Sequence, residues 1–241
     1  MKKLTVMVSL YNSGLWLENR LNNIFESTII NDIEVWCINA NSPDPLDKSI
    51  PSKFNVQYIE SPDRIGVYAA WNRIIQASNS CYITNANTDD LIAPNGYEKL
   101  VSALDNNPIY GFAYPSWYTS DIDNLHWPEV PSKSDHSGGE PGNYNGDLSK
   151  SGVGHFPLYR RDLHNKFGLF DERFKALGDA DFWARCYHYG KVEFMWVKEH
   201  LACYLWRGGR SGNENLWHKE INQNEWDLYH SKVELYRLGL L

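Results

Sequence analysis

The first half of the chain alternates continuous apolar runs with segments whose apolar residues recur at helical spacing. After the first run, Leu17, Leu21 and Ile24 show this helical spacing. Such alternation is typical of βαβ units, so we predict an α/β fold with a mainly parallel central sheet flanked by helices. The predicted elements are strands over residues 4–10, 33–39, 56–59 and 81–85 and a helix over residues 67–77.

Polar loops leave the carboxyl ends of these predicted strands. They carry Tyr11 after the first strand, Asn39 at the end of the second, Asp63 after the third and Asn87 after the fourth. In open α/β sheets, ligands bind in the crevice beyond the carboxyl ends of the strands. The four loops are therefore predicted to line one site.

The alternation is lost in the second half. Residues 121–154 are rich in Pro, Gly, Ser and Asn, which predicts a long functional loop or lid. The elements predicted beyond it are helices over 161–167 and 179–189, strands over 192–197 and 202–206, and an amphipathic helix from about residue 216 to 238. We expect a single domain over residues 1–241 with a carboxyl-terminal extension.

Composition argues against several classes of protein. A net charge of -7 without any Lys/Arg cluster argues against a nucleic-acid partner. Four widely spaced cysteines with no CxxC pair indicate reduced core thiols in a cytoplasmic protein. The first apolar run is too short for a secretion signal or a membrane span, so we expect no integral membrane segment and leave open an action at the inner face of a membrane. Ten Trp and fifteen Tyr fit either ligand grooves or ordinary packing.

The run Asn87-Thr88-Asp89-Asp90 directly follows the fourth predicted strand. Two adjacent carboxylates at the end of a buried strand are unfavourable unless something cationic compensates them. A divalent cation such as Mg²⁺ or Mn²⁺ takes one or two carboxylates plus water and substrate phosphates, which points to a nucleotide diphosphate. The alternative is a cap for the next helix, since Asp suits a cap and Pro94 suits a first helical turn. The residues alone leave both interpretations open.

Four segments, in this order, resemble the motifs of one enzyme family. Residues 6–12 resemble its opening strand, which ends in Tyr-Asn beside the nucleotide base. Residues 61–72 resemble its Pro-Asp-x-Gly-Ile-Tyr-Asp-Ala-x-Asn segment, and residues 87–90 stand where it has an Asp-x-Asp metal motif. Residues 168–174 and 178–185 resemble its Gly-x-Phe-Asp-Glu and Glu-Asp-x-Asp-x-Trp-x-Arg pair. The chain thus resembles the GT-A fold glycosyltransferases of family 2.

This resemblance covers most of residues 3–210 and implies a reaction. Inverting members move a sugar from a nucleotide diphosphate sugar, here a UDP-sugar by preference, to a hydroxyl of a glycan or lipid-linked glycan. Asp179 matches the general base that takes the proton of the acceptor hydroxyl. Asp89 matches the carboxylate that binds Mn²⁺ or Mg²⁺. From spacing alone, Asp179 is equally well placed as a helix N-cap.

The same resemblance implies further contacts. The residues expected at the nucleotide sugar are Leu10, Tyr11, Asn39, Asp63, Arg64, Asn72, Asn87, Thr88, Arg207 and Arg210. The residues expected at the acceptor side are His155, Asp90 and Trp183. His218 is left open as a metal ligand. The domain then divides into a donor half over 1–115, an acceptor and base half over 116–215 and a carboxyl-terminal helix over 216–241.

Several carboxylates of the family pattern are missing, three of them at the nucleotide end. Asn87 replaces the first Asp of Asp-x-Asp, Gly178 replaces the Glu before the base, and Asn39-Ala40-Asn41 replaces an acidic pair, with Asn39 where many members hold uracil with Asp. We therefore expect weaker metal binding and leave the base preference open. Two alternative functions remain. One is a nucleotidyltransferase that makes sugar nucleotides, although the first loop lacks the basic residue this reaction would want, and the other is a non-catalytic carbohydrate-binding protein.

Overall fold

An eight-stranded sheet runs through the part of the chain that the structure describes. This computed structural model describes residues 1–135, 140–148, 152–206 and 221–240, apart from the side chains of residues 221 and 222. The strands are β1 Leu4–Leu10, β2 Ile33–Asn39, β3 Gln57–Glu60, β4 Tyr82–Asn85, β5 Leu91–Ile92, β6 Tyr110–Ser120, β7 Leu158–Arg160 and β8 Glu193–Leu205. Their order is β3-β2-β1-β4-β7-β6-β8-β5.

The first four strands are parallel, and the remainder of the sheet is mixed. β7 is antiparallel to both β4 and β6. β6 and β8 are parallel to each other, and β5 is antiparallel to β8. The parallel half therefore presents its carboxyl ends at one edge.

Helices cover both faces of the sheet. They are α1 Gly14–Phe25, α2 Leu46–Ser49, α3 Val67–Ala77, α4 Gly96–Asn106, α5 Val130–Lys133, α6 Asp162–Phe167, α7 Gly178–Ala184 and α8 Ile221–Arg237. A π-helical turn, Arg185–Tyr189, continues α7. α1 and α4 pack on one face, whereas α3, α7 and α8 pack on the other.

β1 is buried on both faces. Leu4, Val6 and Val8 belong to the core that α1 and α4 share, whereas Met7 belongs to the core on the α3 side. A parallel strand between two helical layers needs apolar residues at consecutive positions rather than alternate ones. The continuous apolar run at the start of the chain meets this requirement.

The predicted α/β fold with a mainly parallel first half is confirmed. β1, β2 and α3 have the predicted bounds, and β3 and β4 lie within one residue of theirs. The final helix is present as α8, whereas its predicted start at residue 216 lies outside the described residues. Among the described helices, none is long and apolar enough to cross a membrane.

The second half contains more sheet than predicted. β6 and β7 were not predicted, and the two strands predicted over 192–206 are one continuous strand, β8. β6 contains Pro115, which normally interrupts a strand because it lacks an N–H. A register shift follows Pro115, where Val197 and His200 oppose successive β6 residues. This bulge accommodates the proline, and residues 198 and 199 have no partner on β6. These two polar residues interrupt the apolar pattern, so the sequence predicted two strands where β8 is one.

Two smaller expectations are corrected. The predicted loop over residues 121–154 contains a 3₁₀ turn, Trp127–Glu129, followed by α5. Cys81 is exposed, so burial holds only for the other three cysteines. All four thiols are free, as expected.

Candidate functional site

A polar cavity of about 220 Å³ opens at the carboxyl ends of β1 and β4. The residues that line it are Ser9, Tyr11, Arg64, Val67, Trp71, Ala86, Asn87, Thr88 and Asp89. The loops after β1, β3 and β4 therefore meet at one site. Of the residues predicted to bind donor or metal, those brought together here are Tyr11, Arg64, Asn87, Thr88 and Asp89.

The first turn of α3 forms one wall of this cavity. Val67 and Trp71 lie one helical turn apart and both face the cavity. Neither was predicted as a site residue, and the same holds for Ser9 and Ala86. Three of these four lie in motif segments that the sequence marked. The segments gave no sign of which side chains face the ligand, because that depends on how α3 packs against β1.

A cation–π pair stands at the cavity. The guanidinium carbon of Arg64 lies 3.2 Å from the centroid of the Tyr11 ring, and Nη1 donates to the Ile65 carbonyl at 2.9 Å. Such pairs contribute about 0.5–1 kcal/mol at exposed sites. The pair keeps a positive charge beside the cavity, which suits an anionic ligand.

The turn after β4 holds one buried carboxylate and one at the cavity. Asp90, predicted at the acceptor, is 1% exposed, and its oxygens accept hydrogen bonds from the Leu205 backbone N–H at 3.1 Å and from Asn87 Nδ2 at 2.9 Å. Burial, and then the charge of Asp89, raise the pKa of Asp90 to about 7. α4 begins at Gly96 with Asn95 as its cap. The helix-cap interpretation of the two aspartates is therefore wrong.

The oxygen atoms of Asp89 and Asn87 at this turn suit a hard divalent cation that brings most of its other ligands with it. Asn87 uses its amide nitrogen to bond Asp90, so its oxygen is the end that a cation would meet. Among the described residues, no group of three His, Cys, Asp or Glu side chains is arranged to hold a metal ion. The set fits Mg²⁺ or Mn²⁺ bound through one carboxylate, with diphosphate and water supplying the other ligands.

Asp179 lies in the first turn of α7. The helix begins at Gly178 and Leu177 takes the cap position, so Asp179 is not the N-cap that its spacing allowed. Its Oδ1 accepts a hydrogen bond from the Ala180 N–H at 2.8 Å. Burial raises the pKa of Asp179 to about 6, although this bond and one from Tyr68 oppose the rise. A carboxylate in this range is deprotonated near neutral pH and still accepts a proton readily.

Tyr68 joins α3 to the residues around Asp179. Its hydroxyl lies 2.7 Å from the Ala176 carbonyl oxygen and 3.1 Å from Oδ1 of Asp179, so two acceptors share one proton. A Cβ at Gly178 would come within 2.7 Å of the Tyr68 ring. The ring thus fills the space that the side chain of the missing family Glu would need. α3 therefore contacts the cavity through Val67 and the carboxylate through Tyr68.

Hydrogen bonds of Asn39 stabilise the loop after β2. Asn39 donates to the Tyr58 hydroxyl at 3.1 Å and accepts from the Ser42 N–H at 2.7 Å. Its buried amide is not among the groups that line the cavity. The side chain of Leu10 is buried, and Asp63 is exposed outside the lining. In this conformation these three predicted residues support the site or flank it.

Asn72 braces the segment before α7. It is 3% exposed, donates to the Phe170 carbonyl at 2.9 Å and accepts from the Phe170 N–H at 3.0 Å. The same amide nitrogen lies 2.9 Å from Oε1 of Glu172. All of its amide bonds therefore go to protein groups, although it was predicted at the nucleotide sugar.

The other residues predicted at the acceptor are dispersed. His155 stacks on Tyr204 with ring centroids 3.9 Å apart, and burial lowers its pKa to about 4, so the imidazole is neutral at pH 7. Trp183 is buried in the core beside Tyr144. The residues predicted in the carboxyl-terminal loop, Arg207, Arg210 and His218, lie outside the described residues.

Comparisons with known proteins agree with this geometry. No curated protein matches the chain. The family described as Glycosyl transferase family 2 matches residues 5–168. Residues 1–349 of S. aureus TarS in complex with UDP superpose with a TM-score of 0.65 at 15% identity, covering 84% of this chain and 60% of that one. The mannosyltransferase PcManGT from Pyrobaculum calidifontis, in complex with GDP-Man and Mn²⁺, gives 0.65 at 16% identity, covering 89% and 59%.

The family match and the structural likeness differ in extent. The match takes in β1 to β4, the cavity and the strands that follow up to β7 and α6. The structural likeness to the TarS fragment covers 84% of this chain, although the chain spans only about 60% of the length of that fragment. With more than half of its residues matched, this chain belongs to glycosyl transferase family 2 and has the GT-A fold.

Proposed function

We propose that this chain is a metal-dependent, inverting glycosyltransferase. It transfers a sugar from a nucleotide diphosphate sugar, with a UDP-sugar favoured, to a hydroxyl group of a glycan or glycolipid acceptor. Residues 1–115 bind the donor, and residues 116–215 carry the base and the acceptor side. Polysaccharide biosynthesis in the cytoplasm, at the inner face of a membrane where the acceptor is lipid-linked, fits these assignments.

One observation carries this proposal: helix α3 contacts both the cavity at the strand ends and the carboxylate of Asp179. The side chains of Val67 and Trp71 on α3 line the cavity at the strand ends. Tyr68, between them in sequence, donates a hydrogen bond to the carboxylate of Asp179. A transfer reaction needs donor and base on either side of the sugar that moves. α3 supports this arrangement because it fixes the two groups relative to each other.

The side chains act in different ways. Tyr11 and Arg64 offer a ring face and a cation for the nucleotide. Asp179 accepts the proton of the acceptor hydroxyl as its oxygen attacks the anomeric carbon and the nucleotide diphosphate leaves from the opposite face. Asp89, with Asn87, would hold Mn²⁺ or Mg²⁺, which neutralises charge on the departing diphosphate. The Mn²⁺ in the PcManGT complex supports this assignment.

Calorimetry with UDP and GDP tests donor binding. UDP is expected to bind in the presence of Mn²⁺ and to bind much more weakly without it, because the cavity has a single carboxylate that a metal would bridge to the diphosphate. Asp89→Asn is expected to weaken the Mn²⁺-dependent binding by more than about 10-fold, since a change even in an outer-shell partner of a metal typically costs that much.

The matched control is Asp32→Asn, an exposed carboxylate just before the amino end of β2 and therefore at the opposite edge of the sheet. It should bind UDP as the wild type does. If no nucleoside diphosphate binds to the wild type, the transferase proposal is wrong. Tight glycan binding in that case would favour the carbohydrate-binding alternative instead.

The pH dependence of transfer tests the base. Asp179 acts only when deprotonated, so kcat is expected to rise through about pH 6 and to level off above it. Tyr68→Phe removes a hydrogen bond to the charged carboxylate, which raises the pKa of Asp179 further. The midpoint of the rate profile should therefore move to higher pH. Tyr189→Phe, which alters an exposed ring, serves as the control. An unchanged midpoint in Tyr68→Phe would contradict the assignment.

A further inference from the structure

Glu225 of α8 holds the backbone just ahead of α7. Its carboxylate accepts hydrogen bonds from three consecutive N–H groups, those of Lys175 at 2.6 Å, Ala176 at 2.9 Å and Leu177 at 3.2 Å. The residue is only 7% exposed. A buried carboxylate is unfavourable unless hydrogen bonds compensate it, and charge-assisted bonds to amides are among the stronger ones. The three bonds therefore fix this segment firmly to α8.

The segment is fixed from the other side as well. The carbonyl of Ala176 accepts a hydrogen bond from Tyr68 of α3, while its N–H is bound to Glu225 of α8. Leu177 is the cap residue of α7, and its carbonyl accepts the first helical bond from Asp181. The residue just before the cap of the base helix is thus clamped between two helices.

Building on the proposed function, we infer that Glu225 is a positioning residue for the catalytic base. It does not line the donor cavity. It acts by fixing residues 175–177, which set where α7 begins and therefore where the carboxylate of Asp179 lies relative to the donor. No sequence pattern marked it, and it lies beyond the family-matched segment.

The docking of α8 does not depend on Glu225. Tyr229, Val233 and Tyr236 bury the apolar face of α8 in the core it shares with α3 and α7. Lys232 pairs with Asp171 at 2.6 Å and with Asp181 at 2.9 Å. A substitution at Glu225 should therefore loosen residues 175–177 while α8 stays in place.

The test compares Glu225→Gln with Glu234→Gln, which alters an exposed glutamate on the same helix. The amide introduced by Glu225→Gln would keep one acceptor oxygen and turn an NH₂ group toward a backbone N–H. Amide exchange at residues 175–177 is then expected to accelerate on the order of 10–100-fold, and a carbon-13 titration should show the pKa of Asp179 falling from about 6 toward the ordinary value as water enters. kcat should fall on the order of tenfold, with UDP affinity and the donor KM unchanged.

The Asp179 titration and the amide exchange at residues 175–177 do not require enzymatic turnover. They can therefore test this inference independently of the proposed function. If Glu225→Gln keeps the wild-type exchange rates and the wild-type Asp179 titration, the positioning role is wrong even when the wild type is an active transferase. If UDP affinity and the urea midpoint fall together with kcat, Glu225 supports the fold generally and the inference is also overturned. A wild type without transfer would overturn the proposed function and the catalytic meaning of this inference, whereas the exchange rates and the Asp179 titration would still show whether Glu225 fixes residues 175–177.

Discussion

Asp179→Asn is expected to lower kcat by about 10²–10⁴-fold, which is the usual contribution of a general base. An amide cannot accept the acceptor's proton, although it fills the same space and still accepts a hydrogen bond from the Ala180 N–H. UDP affinity should change little because Asp179 does not line the donor cavity. The loss should therefore appear in kcat, measured at saturating donor, and not in the calorimetric Kd for UDP.

The control is Asp227→Asn, which alters an exposed carboxylate on α8. It should leave both quantities unchanged. Turnover at the wild-type rate in Asp179→Asn would rule Asp179 out as the base. A parallel loss of UDP binding would instead indicate that the substitution disturbs α3 through Tyr68.

Asp181→Ala is expected to reduce the free energy of unfolding by about 3–5 kcal/mol, the usual effect of removing one partner from a buried ion pair. Asp181 is completely buried and accepts a hydrogen bond from the Tyr236 hydroxyl at 2.8 Å. It also pairs with Arg185 at 3.2 Å and with Lys232 at 2.9 Å. The alanine variant would leave the buried guanidinium of Arg185 and the half-buried ammonium of Lys232 without the carboxylate that they share.

Urea denaturation followed by circular dichroism measures this change. Asp162→Ala is the matched control, because it removes an exposed pair with Lys166 at 2.7 Å and should cost less than about 0.5 kcal/mol. A loss for Asp181→Ala as small as that for Asp162→Ala would mean that the other partners of the two cations, Asp171 for Lys232 and two backbone carbonyls for Arg185, already compensate their charges.

The sequence predicted strand bounds well where the pattern of apolar residues within the strand determines them. β1 is buried on both faces, so its apolar run is nearly continuous, whereas β2 alternates buried and half-buried residues before its buried end, and the bounds of both strands follow directly from these patterns. β6 and β8 are decided instead by their pairing with each other. A bulge beside Pro115 is visible only once the two strands are aligned across the sheet, because neither segment carries it alone.

In the site, too, some features follow from local sequence and others depend on packing between distant segments. The motif segments located Asp89 and Tyr11 at the cavity, since the loops that carry them leave neighbouring strand ends. They did not separate residues that face the cavity from residues that brace it, so Asn72 was assigned to the nucleotide sugar although its amide bonds the Phe170 backbone. Which side chains of α3 face the cavity depends on how the helix packs against β1. That information is not local in sequence.

The family match ends at residue 168, whereas Asp179 and Glu225 both lie beyond it. A fragment cut at that boundary would keep the residues that line the cavity and lose Asp179. It would also expose the apolar side of α3, where Trp71 and Ile74 pack in the core shared with α7 and α8. The part of this chain that packs the cavity, α3 and Asp179 into one unit therefore extends through α8, about seventy residues past the end of the family match.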